Sequence, residues 1–89
     1  MRYKVVRQEH LRKRPDWLVR FLLSYRPAMY EVQDTLELAR IRLRYIRLKL
    51  RQSEMFRTGK ISYQVDGDSF VVSTMKGQKC VTFLIRERE

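Results

Sequence analysis

The chain has 89 residues, 44% hydrophobic and 11% aromatic, with three Gly and two Pro. That length fits one domain and leaves no room for a second core, and the composition excludes a low-complexity chain. Twenty Lys and Arg against ten Asp and Glu give a formal charge of +10, a field that opposes self-association and attracts polyanions, nucleic acid being the commonest.

Cys80 is the single cysteine, which rules out an intrachain disulfide and a cysteine-built metal site; a reducing compartment is the expectation. His10 is the single histidine, and no glycine-rich phosphate loop is present, so no metal or cofactor is expected. The start, Met-Arg-Tyr-Lys-Val-Val-Arg, lacks an apolar signal core, and the longest apolar stretch, 17–23, is interrupted by Arg20. These features predict a soluble, cytoplasmic protein with no membrane segment, free or associated with a nucleoid or nucleoprotein.

In chain order, residues 3–6 predict a short strand, and residues 7–14, with four cations, a basic connector. Pro15 and Asp16 suit the first turn of a helix, since proline lacks an N–H that would be unpaired there and a carboxylate favours the positive end of the dipole. Trp17, Leu18, Phe21, Leu22 and Tyr25 recur on one face of that helix, and Pro27 ends or bends it.

A second, long helix is predicted from Ala28 to about Arg57, closed by Gly59. Met29, Val32, Leu36, Ala39, Leu43, Ile46 and Leu50 follow a heptad seam, while Leu38, Ile41, Tyr45 and Leu48 make a second stripe on the opposite side. Residues 40–51 also alternate with strand period. Helix is preferred because Leu, Arg, Ala, Lys and Glu dominate and no turn signal intervenes. Asp34 and Glu37 match a capping box that would start the helix at Thr35 after a break. An unbroken helix over 28–57 would be about 45 Å long and overhang a domain this small. Either the break is real or a second copy or another subunit covers part of the double stripe, so a homodimer or larger assembly is expected.

From Lys60 the period changes to that of strands. Ile61, Tyr63 and Val65, then Phe70 and Val72, then Val81, Phe83 and Ile85 alternate with polar residues around Asp66-Gly67 and Lys76-Gly77. Two-residue turns would set Tyr63 opposite Phe70, and Phe70 opposite Phe83. The prediction is an α+β domain with a short N-terminal strand, two helices and a three-stranded antiparallel C-terminal sheet whose apolar face packs on a helix.

The candidate site is the row Arg40, Arg44, Arg47 and Arg51, whose spacings of four, three and four place the guanidinium groups on one helical face. Arg suits phosphate because its planar fork pairs bidentately. Glu37 and Glu54 at the two ends are too few to neutralise the row, Arg42 and Lys49 lie on the other polar strip, and Arg12, Lys13 and Arg14 offer a second cluster. Tyr63, Phe70 and Phe83 fall on the core face and so offer no stacking platform. Asp66 and Asp68 read as turn formers, not catalytic acids.

The expected function is non-enzymatic nucleic-acid binding through phosphates, as a small regulator or a nucleoprotein or viral component. An alternative is an interaction or inhibitor subunit that grips an acidic protein surface along the heptad seam. The order of short strand, two helices and three antiparallel strands, with the Tyr-Lys-Val-Val start, resembles the RelE/ParE toxin superfamily. That resemblance implies an RNase working through basic residues without a metal, His10 being one candidate.

Overall fold

The computed structural model describes residues 1–24 and 31–88. The chain runs β1 (Arg2–Glu9), α1 (Asp16–Ser24), β2 (Val32–Gln33), α2 (Leu36–Arg51), α3 (Glu54–Arg57), β3 (Ile61–Asp66), β4 (Ser69–Thr74) and β5 (Lys79–Arg88). The α+β class is as the sequence predicts, but the sheet has five strands in the order β2-β1-β5-β4-β3, every neighbouring pair antiparallel. The N-terminal strand is not a short appendage. It pairs with β5 from Arg2↔Arg88 to Glu9↔Val81, so Arg7, Gln8 and Glu9, expected in a connector, belong to the sheet.

The expected 28–57 helix is divided, for local reasons. Val32 and Gln33 pair with Lys4 and Tyr3, and Thr35, in extended backbone, accepts the Leu38 N–H on its hydroxyl at 3.1 Å. This N-cap supplies a partner for one of the first-turn donors that a helix leaves open. At the far end Ser53 donates to the Leu50 carbonyl at 2.6 Å and accepts from the Phe56 N–H, ending α2 and starting α3. Gly59, at φ +75°, closes α3 as expected, with its own N–H on the Phe56 carbonyl and the Lys60 N–H on that of Met55. At 16 residues α2 is about 24 Å long, so the overhang that argued for a second copy is gone. The calls on Tyr25, Pro27, Ala28 and Met29 lie outside the described residues.

In the first hairpin, Tyr63 pairs with Val72 and Val65 with Phe70, two residues away from the predicted register; the turn is Gly67-Asp68, not Asp66-Gly67. Gly67 carries the positive φ, +58°, at the first central position, which spares Asp66 from leaving strand geometry. A shift of two preserves the face, because strand side chains repeat every second residue. The second hairpin has Phe70 opposite Phe83 and Val72 opposite Val81, as predicted, before an irregularity at Val72/Ser73.

The helices cover one face of the sheet. Leu18, Phe21 and Leu22 of α1 and Leu43, Ile46 and Leu50 of α2 join Val5, Ile61, Phe70, Val72, Val81 and Phe83 in one core. Phe70 stacks on Phe83 with centroids 5.0 Å apart, and Phe21 meets Phe83 edge-on at 6.2 Å. Val65, expected in this core, is exposed near the hairpin tip. Of the two stripes on α2, the sheet takes the first: Ala39, Leu43, Ile46 and Leu50 are buried. Among the described residues no helix is long and apolar enough to cross a membrane.

Candidate nucleic-acid interface

The buried stripe fixes the rotation of α2, and with it where every arginine points. Residues 40, 44, 47 and 51 fall on one flank of the helix, between its two apolar stripes. Arg40, Arg44 and Arg47 line a groove between α2 and that turn, with Glu37 and Asp68 at its acidic end. Seven residues separate Arg44 from Arg51, a run of about 10 Å along the axis.

The four arginines are not equivalent. Arg40 donates from Nε and Nη2 to the two carboxylate oxygens of Asp68, at 2.9 and 3.0 Å, and from Nη1 to Glu37 at 2.8 Å. Hydrogen bonds donated by Arg40 hold the Asp68 carboxyl below its ordinary pKa, and the bonds that Arg40 makes to Asp68 and then to Glu37 raise its own already high pKa. This corrects the expectation that the row lacks nearby acids. The carboxylate comes from a hairpin 28 residues away in sequence, which helical spacing cannot show. Arg44, Arg47 and Arg51 have no ion pair among the described residues, and Arg44 and Arg51 are exposed.

The second predicted cluster divides as well. Arg14 makes a bidentate pair with Glu9, which also accepts from Arg7, and the Glu9 carboxyl is lowered, chiefly by the Arg14 hydrogen bond, against a desolvation that raises it. Arg12 and Lys13 stay exposed without an ion pair among the described residues. The groove beside α2 does not include them, so the two clusters do not merge into one site. Of the two flanking cations, Arg42 bonds Glu31 at 2.8 Å, and Lys49 lies over the Tyr45 ring, 5.5 Å from its centroid.

One basic group was invisible in the sequence. The register sets Arg2 opposite Arg88 and Lys4 opposite Arg86, so four cations share the sheet face turned away from the described helices. Their positions have equal parity, but only the pairing of the first strand with the last brings them together. The His10 ring shares a hydrogen bond with the Thr82 hydroxyl at 2.8 Å, and the His10 backbone N–H donates to the Cys80 carbonyl as the β1–β5 ladder ends. Cys80 itself is buried, and burial pushes its thiol pKa up, the opposite of what a nucleophile requires.

No protein-family model, curated protein or solved structure matches this chain. Among the described residues no group of His, Cys, Asp and Glu is placed to hold a metal ion. The arrangement is a short guanidinium row on a helix packed against the core, chemically suited to binding phosphate oxygens.

Proposed function

We propose that this protein binds nucleic acid through the phosphate backbone, as a small regulator or a nucleoprotein component, with Arg44, Arg47 and Arg51 as the contacting residues and Arg40 as an anchored neighbour. The observation that carries the reading is the run of Arg44, Arg47 and Arg51, which has no ion pair among the described residues. The packing of Leu43, Ile46 and Leu50 holds its backbone rigid, so little backbone order has to be acquired on binding. Guanidinium groups pair bidentately with phosphate, and a net charge of +10 draws the polyanion in. Phosphate contacts give affinity and register without base identity, so the expected binding is weakly sequence-selective.

The test is fluorescence anisotropy with single-stranded RNA, single-stranded DNA and duplex DNA over a salt series. Log affinity should fall linearly with log salt, and each of Arg44→Ala, Arg47→Ala and Arg51→Ala should lower the slope by about 0.7 to 0.9. Unchanged slopes in all three variants would remove the site. Cleavage of RNA in the same samples would instead favour the toxin-like reading.

A further inference from the structure

β3 forms one edge of the sheet, and its outer side presents a regular row of backbone groups. The Met75 N–H donates to the Lys60 carbonyl at 3.2 Å, which extends the β3–β4 register by one pair and shows that the even-numbered residues of β3 exchange their hydrogen bonds with β4. The N–H and C=O groups of Ile61, Tyr63 and Val65 therefore point outward, and no hydrogen bond among the described residues reaches them. Natural sheets guard such an edge with a charge, a proline, a bulge or brevity. β2, at the other edge, is two residues long. β3 has six residues, and none from 61 to 65 is charged, is proline or lies in a bulge. Four strand spacings, about 19 Å, separate it from β2, the strand that residues 25–30 precede in the chain.

The edge is complementary to itself. When two copies of β3 run antiparallel about a twofold axis at Tyr63, Tyr63 faces Tyr63, Ile61 faces Val65, Ser62 faces Gln64 and Lys60 faces Asp66. All the outward N–H and C=O groups of Ile61, Tyr63 and Val65 then bond one another. A shift of two residues either way leaves one of them without a strand partner, and sets Lys60 against Gln64 or against Asp68, which Arg40 already holds. On the core side, Val65, 46% exposed, gains the partner's Ile61 as a cross-strand neighbour. The two Tyr63 rings, each stacked on a Phe56 ring with centroids 5.5 Å apart, meet at the axis. We infer that β3 is the surface through which a second copy of this chain adds, giving a sheet continuous across the twofold axis. The +10 charge of each copy opposes the approach, but the strand itself brings only Lys60 and Asp66, which attract, and at physiological salt charges farther than about 8 Å away are largely screened. This inference does not depend on nucleic-acid binding.

The test is sedimentation velocity of the nuclease-treated full chain across the micromolar range near physiological salt, where a concentration-dependent dimer is expected. Val65→Pro removes an outward N–H and leaves the β4 ladder its hydrogen bonds, and it should weaken the dimer at least about tenfold. Lys60→Glu and Asp66→Lys should each weaken it at least about threefold, because each sets like charges opposite one another at two symmetry-related places. The two changes together should restore it to within about twofold of the parent, a rescue that misfolding does not produce. The proposal is overturned by a monomer throughout the range, by a dimer indifferent to Val65→Pro, or by a double change that does not restore what either single change removes. It is equally overturned if the dimer vanishes on nuclease treatment, which would make nucleic acid the bridge, or if Ile41→Asp on α2 dissolves it while Val65→Pro does not.

Discussion

Arg40 of α2 grips Asp68 of the β3–β4 turn with two parallel hydrogen bonds, at 2.9 and 3.0 Å, tying the helix to a hairpin tip. The pair withdraws one guanidinium from the row and leaves Arg44, Arg47 and Arg51 without an ion pair among the described residues. Asp68→Asn should release Arg40, add one cation to the surface and steepen the salt dependence of nucleic-acid affinity by about 0.7 to 0.9. Arg40→Ala should change that slope least of the four arginine substitutions. Parallel salt series on the two variants check both statements.

The same pair makes stability depend on pH. The carboxyls of Asp68 and Glu9 are held below their ordinary values, so the unfolded chain binds more protons in acid than the folded one. Their contribution is complete above the ordinary carboxylate range, about pH 4, and is lost as pH falls through the lowered folded values. Asp68→Asn and Glu9→Gln should each be less stable than the parent near pH 6, and the gap should close below about pH 3. Urea unfolding at several pH values reads this directly. A gap that widened in acid would contradict the pairing.

The two stripes of α2 differ in what they hold up. Ile46→Ala or Leu50→Ala empties a site within the core and should cost about 2–5 kcal/mol. Ile41→Ala, on the opposite face, should change stability by about 0.5 kcal/mol or less. Leu43→Asp, which the heptad reading would use to break a partner contact, should instead unfold the domain, because Leu43 is buried beneath the chain's own helix. Denaturant melts of the four variants separate the stripes.

On the open sheet face, Lys4 and Arg86 sit directly opposite each other on neighbouring strands. Like charges at such positions oppose pairing, so Arg86→Glu should raise the thermal midpoint by about 1–5 °C at low salt, and less as salt screens the pair. Should the quartet also hold nucleic acid, this stabilised variant would bind with a shallower salt dependence. Thermal melts and anisotropy on the same variant distinguish the two consequences.

The sequence by itself determined what is local. The periods of α1 and the C-terminal strands, a helix start within a residue of the one observed, the closure at Gly59 and the apolar face from Ile61 to Ile85 are written in neighbouring residues, although the cap is Thr35 and not the Asp34 of the predicted capping box, because caps and side-chain periodicity act over a few positions. The division of α2 from α3 at Ser53 was not among the predicted breaks, because no Gly or Pro marks it between Pro27 and Gly59. Tertiary structure decided the rest. Two stripes on α2 were equally apolar, and the sheet took the one containing Ala39, whose small side chain permits close approach, leaving out Tyr45, whose hydroxyl would need a buried partner. The pairing of β1 with β5 enlarged the sheet and gathered Arg2, Lys4, Arg86 and Arg88, while the reach of Asp68 to Arg40 decided which arginines remain unpaired. Such contacts join residues tens of positions apart, and no local pattern in the chain encodes them.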